Sequence, residues 1–237
     1  FGLPLNKVHL HSWNLNQELD YIFSARKQFE KITAVTESSV DYPIQMDMKG
    51  IADDKKKKLK KENRTKEADV ALDFFYLMLD PQKVLREKMS LFWLNHFACR
   101  FAVVTICESF LNTIRQNALG DFKNLLFAVL KHPGMLTYLN AKQNRKEKPN
   151  ENLARELMEL FTLGRGNYSE QDIKEAARAL TGWSFRKDLT FEFRGDFHDE
   201  GYKTIFSQTG KFKGDDVLNM ILERKECAYF ITKKICK

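Results

Sequence analysis

The sequence predicts an all-α, multi-helix globular domain of about eight helices, and three observations support this prediction. Apolar residues recur at steps of three and four through most of the chain, as on one face of a helix. Glycines, prolines and short capping residues stand between these segments. The alternation typical of strands is confined to residues 190–206, where we expect at most one short β-hairpin.

Three apolar stripes predict the helices of the first half of the chain. The first lies between residues 5 and 32, and the second ends at Asp80-Pro81, where aspartate is expected to cap and proline to open the third. The stripes are Leu15, Leu19, Ile22 and Phe23; Val70, Phe74, Leu77 and Met78; and Leu85, Met89, Phe92, Trp93 and Phe97.

Break and cap signals divide the second half into further helices. Gly120-Asp121 and His132-Pro133-Gly134 bound one helix, and a capping box formed by Ser169 and Asp172 starts another. Gly214-Asp215 is expected to cap a helix, and residues 228–236 form the last one. The stripes are Ile106, Phe110, Leu111 and Ile114; Phe122, Leu125, Leu126, Val129 and Leu130; Ile173, Ala176, Ala177 and Leu180; and Val217, Leu218, Ile221 and Leu222.

We divide the chain into an N-terminal helical segment (1–48), a charged lysine-rich linker (49–67) and a main helical domain (68–237). The sequence begins with Phe1 and ends without a stop signal, so we expect a fragment at both ends. Residues 49–67 carry nine Lys or Arg against four Asp or Glu, which accounts for most of the net charge of +7. They contain no aromatic residue that could stack on a base, so a solvated linker or helix is favoured over a nucleic-acid site.

No run of about 18 apolar residues is present, so we predict no transmembrane segment. No secretory signal is found at the start, and the compartment stays undetermined. The cysteines form two pairs, each eight or nine residues apart, which is too far for a C-x-x-C metal pair. We expect core thiols, and an inter-helix disulfide stays open as an alternative, for Cys99, Cys107, Cys227 and Cys236.

The run from Pro149 to Gly166 is an unusually polar helix. Its apolar stripe predicts one face in the core, and Gly164 stands where a left-handed cap would end the helix. Beside the stripe lies a polar ridge, on which Arg155 is expected to pair with Glu151 and Glu159. The stripe is Leu153, Leu157, Leu160 and Phe161, and the ridge is Asn152, Arg155, Glu156 and Glu159.

Two interpretations of this ridge are open. It is either a solvated face stitched by weak ion pairs, or it places Glu156 and Glu159 at a buried site, where charges must be paired or hold a metal. His96, on an apolar helix, and His198-Asp199, in a glycine-flanked loop, are the other candidates. No metal motif of known spacing occurs, and the Glu-x-x-His pairs of di-iron bundles are missing. A divalent metal would therefore need distant ligands, namely His96, Glu156, His198 and Asp199.

Five segments between Leu85 and Leu218 resemble the bacterial domain-of-unknown-function family 1800. They are LREKMSLFWLNHFA, ALGDFKNLLFAVLKHPGMLTYLN, PNENLARELMELFTLGRGNYSEQDIKEAARALTGW, HDEGYKT and TGKFKGDDVL. The resemblance implies a mostly helical bacterial protein, often exported or envelope-associated, and it brings no activity with it. It includes His96, Asn150 to Glu159, Trp183, His198 and Lys203 among the matching residues. The basic residues at 145–148 and 55–61 fall outside the matching pattern and are poor site candidates.

Two functional hypotheses follow. The first is a metal-dependent or acid–base hydrolase with its site between the 149–164 helix, the His96 helix and the His198 loop. In it His96, Glu156, Glu159 and His198 are catalytic, and Asn152, Arg155, Trp183 and Lys203 bind the substrate. The second is a non-catalytic helical interaction module of a cell-envelope complex, in which the same residues serve the fold and contact a partner protein.

Overall fold

The computed structural model describes residues 29–35, 52–101 and 103–236. Within these residues the chain forms nine α-helices and two short two-stranded sheets. The prediction of a mostly helical protein is therefore confirmed. The predicted first helix, with its stripe at 15–23, lies outside the described residues. The described residues form two compact units: unit 1 contains those up to residue 95 and those from 101 to 125, and unit 2 contains those from 96 to 100 and from 126 onward.

The charged segment of unit 1 is helical rather than irregular. Helix α1 (Asp53–Leu79) has two acidic residues in its first turn, where the helix dipole favours negative charge, and Lys56 pairs with Asp53 at 3.2 Å. Residues 53–67 thus belong to the same helix as the buried Val70 and Phe74. The predicted boundary between 67 and 68 falls within α1, and the one between 48 and 49 lies outside the described residues.

Unit 1 also contains α2 (Val84–His96, up to residue 95) and α3 (Val104–Asn117). Asp80 forms a turn by accepting a hydrogen bond from the Gln82 amide at 2.9 Å, so α2 begins three residues after the predicted opening at Pro81. A buried ion pair joins the two helices, because the Arg115 guanidinium donates to both carboxylate oxygens of Glu87, at 2.7 and 2.9 Å.

Unit 2 is built from short helices around an apolar core. The predicted stop at His132-Pro133-Gly134 also starts a helix, because the His132 ring caps it by accepting from the Gly134 amide at 3.1 Å. The predicted capping box of Ser169 and Asp172 is confirmed. The helices are α4 (Phe122–Leu130, from residue 126), α5 (Pro133–Tyr138), α6 (Asn152–Glu156), α7 (Glu170–Ala179), α8 (Gly214–Glu223) and α9 (Lys225–Ile235), with a π-helix at Leu157–Thr162 and 3-10 turns at Ala141–Gln143 and Gly195–Phe197.

Two hairpins occur where the sequence predicted at most one. Strand β1 (Trp183–Phe185) pairs antiparallel with β2 (Phe191–Phe193), and β3 (Lys203–Ile205) pairs with β4 (Gln208–Gly210). Strands of three residues are too short to produce a recognisable alternation of apolar and polar residues. In addition, β1 begins only a few residues after α7 ends, so its apolar residues resemble a continuation of that helix.

No helix among the described residues has the length and hydropathy needed to cross a membrane. Cys227 is buried as expected of a core thiol, Cys99 and Cys107 are half-buried, and Cys236 is exposed. Burial raises the pKa of the Cys227 thiol to about 11, so this thiol is protonated at neutral pH.

Candidate functional site

The polar run at 149–166 begins as α6 and continues as a π-helix. The amides of Leu163 and Gly164 both donate to the Met158 carbonyl, at 2.9 and 3.0 Å, and Gly164 has the predicted left-handed conformation with φ +74°. Bonds from residue i to i+5 widen the turn, so Phe161 follows Leu157 into the core. Leu160 was expected in the core stripe and is instead 48 % exposed, because the α-helical period does not hold across the π-helix.

The ion pairs on the ridge differ in part from the prediction. Arg155 pairs with Glu151 at 3.0 Å as expected, but its second partner is Glu170, at 2.8 Å, rather than Glu159. Glu159 instead accepts from Arg165 at 2.6 Å and from the Tyr168 hydroxyl at 3.2 Å. The Arg165 hydrogen bond lowers the pKa of Glu159, so this carboxylate is a poor proton acceptor at neutral pH.

Glu156 differs from Arg155 and Glu159, the other charged residues of the ridge. Its carboxylate is half-buried and forms no hydrogen bond within the described ranges. Partial burial raises its pKa, and the nearby charge of Glu159 adds to the effect, whereas Arg155 opposes it. One turn earlier, Asn152 is also half-buried, and its side chain forms no hydrogen bond to the described residues, although its backbone amide donates to the Asn150 side chain at 2.9 Å.

His96 holds the carboxyl end of the π-helix. Its Nε2 donates to the Phe161 carbonyl at 3.0 Å, because a carbonyl can only accept, and its Nδ1 therefore accepts from Lys234 at 3.1 Å. The Lys234 ammonium also donates to the Leu160 carbonyl at 3.2 Å. Burial, followed by the charge of Lys234, lowers the pKa of His96 to about 4, so the ring is neutral at pH 7 with both nitrogens occupied.

His198 is tied to the end of α7. Its Nδ1 donates to the Thr181 carbonyl at 3.0 Å, which leaves Nε2 unprotonated in the neutral ring and without a hydrogen-bond partner among the residues described. The ring is 2 % exposed and stands edge-on to Phe193. Burial is the main cause of the lowered pKa of His198.

Asp199 and Lys203 fix the loop that carries His198. Arg178 of α7 donates to both carboxylate oxygens of Asp199, at 2.7 and 3.2 Å. The ammonium of Lys203 is fully buried and donates to the carbonyls of Asp199 and Gly201. Burial lowers the pKa of Lys203, and Asp199 opposes that effect. Lys203 was predicted to bind substrate, but its donors are directed at the backbone of its own loop.

Trp183 packs deeply in unit 2. Its indole lies so close to Gly214 that a Cβ at that position would come within 2.4 Å of the ring. Lys131 stands 5.7 Å from the centroid of the Trp183 ring and 5.0 Å from that of the Phe191 ring, and it pairs with Asp215 at 2.8 Å. Trp183 therefore joins the first hairpin to the start of α8.

The comparison with protein families agrees with the resemblance seen in the sequence. The model of the family described as "Protein of unknown function (DUF1800)" matches residues 5–237. The chain belongs to the DUF1800 family. No curated protein and no solved structure matches it significantly.

The predicted metal ligands of this DUF1800 chain are not brought together. Over the described ranges, no group of three or more His, Cys, Asp or Glu side chains is placed to hold a metal ion. Both nitrogens of His96 are occupied, and Asp199 is paired with Arg178. The set His96, Glu156, His198 and Asp199 proposed from the sequence is therefore not a ligand cluster.

Sequence reasoning missed a cavity in the DUF1800 chain, of about 150 Å³, beside the β1–β2 hairpin. Arg145 was considered a poor site candidate because it falls outside the matching segments, yet it lines this cavity. Its Cζ lies 4.3 Å from the Phe197 ring centroid, a contact across about fifty residues of sequence that no local pattern reveals. The lining consists of Lys142, Asn144, Arg145, Gly182, Trp183, Ser184, Phe185, Glu192, Arg194 and Phe197.

Proposed function

We propose that this DUF1800 chain acts as a non-catalytic helical interaction module of a cell-envelope complex. One observation carries the proposal: most polar side chains expected to be catalytic or substrate-binding are hydrogen-bonded to the chain's own backbone or to other side chains outside the predicted set. His96 and Lys203 are the strongest cases, since Nε2 of His96 donates to a carbonyl of the π-helix and the ammonium of Lys203 donates to carbonyls of the 199–201 loop. Such contacts stabilise the fold and leave few groups to act on a substrate.

The experiment compares the free energies of unfolding of Lys203→Met and Glu156→Gln in urea. Methionine keeps the length of the lysine side chain but leaves two carbonyls without their donor, so we expect a loss of about 1–3 kcal/mol. Glu156 has no hydrogen-bond partner within the described residues, so Glu156→Gln is expected to stay within about 0.5 kcal/mol of the unmodified chain. Residues kept for catalysis often lower stability, so an unchanged or more stable Lys203→Met chain would contradict the proposal.

Glu156 favours a second candidate, an acid–base hydrolase. A half-buried carboxyl whose pKa is raised by burial holds its proton more readily than an ordinary glutamate, as a general acid must. The test is a panel of chromogenic esters, phosphate esters and glycosides, incubated with the unmodified chain and with Glu156→Gln. Turnover that is lost in Glu156→Gln would favour the enzyme, and equal signals from both chains would count against it.

A further inference from the structure

Three cations surround the cavity beside the β1–β2 hairpin. Lys142, Arg145 and Arg194 line it, and no described carboxylate forms an ion pair with any of them. The cavity has one acidic lining residue, Glu192, which accepts from Arg186 at 3.2 Å. The cavity therefore carries an excess of positive charge that its own side chains do not neutralise.

Aromatic rings hold these cations in place. The Lys142 ammonium lies 3.5 Å from the Phe185 ring centroid, and the guanidinium carbons of Arg145 and Arg194 lie 4.3 and 4.4 Å from the centroid of Phe197. Cation–π contacts orient a charged group without cancelling its charge. The cations are thus partly ordered before any ligand arrives, which lowers the entropic cost of binding.

The charges act on one another across the cavity. Burial lowers the pKa of Lys142, and the charge of Arg194 lowers it further, whereas Glu192 opposes the change. A bound anion would relieve this repulsion between Lys142 and Arg194. The same arrangement would repel a cationic ligand.

The size of the cavity limits the ligand. A volume of about 150 Å³ is less than the roughly 300–1,000 Å³ of a pocket for a drug-sized ligand. A phosphate group fits this volume, and its several acceptor oxygens match two guanidinium groups, an ammonium and the Ser184 hydroxyl on the wall.

We propose that this cavity is an oxyanion site that binds a phosphate group, either of a soluble phosphate or of a lipid headgroup. This inference rests on the proposed binding function, because it names the ligand of the module. The proposed function and the proposed phosphate site are tested independently, because the unfolding of Lys203→Met is measured without any ligand.

The first test titrates inorganic phosphate into the ¹⁵N-labelled chain, at an ionic strength held constant with sodium chloride, and follows the arginine Nε–H signals. The signals of Arg145 and Arg194 should shift to saturation. Arg194→Gln should weaken phosphate binding at least about tenfold, because it removes charge-assisted hydrogen bonds. Lys142→Met should weaken phosphate binding to a similar extent. Because Lys142 packs on Phe185 rather than on Phe197, this variant still tests the site if Arg194→Gln does not fold.

The matched control is Lys187→Gln, which removes an exposed cation from the same hairpin without touching the cavity. We expect it to bind phosphate within about twofold of the unmodified chain. Co-sedimentation with phosphatidylcholine vesicles, with and without phosphatidic acid, distinguishes the sources. A lipid source predicts retention that requires phosphatidic acid and is lost in Arg194→Gln, and a soluble source predicts equal retention on both vesicles. The proposal is overturned if Arg194→Gln and Lys187→Gln bind inorganic phosphate with the same affinity and are also retained equally on vesicles that contain phosphatidic acid.

Discussion

The imidazole of His96 donates through Nε2 to the carbonyl of Phe161, at 3.0 Å, where the π-helix ends. Lys234 occupies the other ring nitrogen and also binds the neighbouring carbonyl of Leu160. Carbonyls at the end of a helix lack partners within it, and cationic or donor side chains are favoured there. A residue that the sequence marks as a catalytic candidate thus caps a helix.

The pKa of His96 makes stability depend on pH. The folded-state pKa is about 4, below the ordinary value of 6.5, so the unfolded chain binds more protons between these values. Stability is therefore fully present above about pH 6.5 and is lost as pH falls toward 4, by about 3 kcal/mol at most for this residue. His132, with a pKa of about 4, adds a loss in the same direction. Urea unfolding of the unmodified chain and His96→Gln, from pH 7.5 to 4.5, should show a smaller decline in the variant.

Parallel pH curves for these two chains would contradict that assignment. Carboxylates with lowered pKa values, such as Asp172 and Asp199, also lose stability in acid, but they do so equally in both chains. The difference between the curves therefore isolates His96.

Gly182 and Gly166 offer a matched test of a close backbone approach. Both have positive φ, +83° and +86°, so alanine is strained at either position by about 1–2 kcal/mol. A Cβ at Gly182 would also lie 2.6 Å from the Arg194 carbonyl oxygen, whereas nothing lies within 4 Å of one at Gly166. Gly182→Ala should therefore lower the melting temperature more than Gly166→Ala. Equal losses in melting temperature for the two variants would contradict the close approach of Gly182 to the Arg194 carbonyl.

The β3–β4 turn contains removable strain. Ser207 has φ +65° without being glycine, and its side chain is exposed and makes no hydrogen bond to the described residues. Ser207→Gly should therefore raise the free energy of unfolding by about 0.5–1 kcal/mol, even after the extra freedom of the unfolded chain is counted. Gln208→Gly, placed in the strand, should instead destabilise the protein. A stabilising Gln208→Gly with a destabilising Ser207→Gly would contradict the assigned turn.

The buried pair of Glu87 and Arg115 predicts a large loss when one partner is removed. Both side chains are 1 % exposed, and glutamine at position 87 would leave the guanidinium charge uncompensated. We expect Glu87→Gln to cost about 3–5 kcal/mol. Lys58→Ala, which breaks an exposed pair with Glu62, should cost less than about 0.5 kcal/mol. Similar losses for the two variants in urea unfolding would contradict the burial of the Glu87 pair.

The sequence predicts the helices of this protein well because each depends on local periodicity and capping. The capping box of Ser169 and Asp172 and the left-handed Gly164 need only nearby residues, and both are present. The exposure of Leu160 could not be predicted, since a π-helix changes the period without a clear signal in the sequence. Helix α5 was missed because its six residues are too few to form a stripe.

The candidate site was harder to predict than the fold. His96, Lys203 and Asp199 were predicted as site residues, but whether their partners are protein groups or a ligand depends on contacts distant in sequence. Arg145 and Phe197 illustrate the same limit, because their contact joins two loops. Residue composition alone does not distinguish the polar candidates, or the contact of Arg145 with Phe197, from residues of a solvated surface.

Whether His96 supports the fold is decided by an NMR titration of its ring nitrogens from pH 8 to pH 4.5. We expect ¹⁵N shifts of a neutral ring protonated at Nε2, with little change until the pH approaches the pKa of about 4. A His96 ring that titrates near the ordinary value of 6.5, or that carries its proton on Nδ1, would contradict the account.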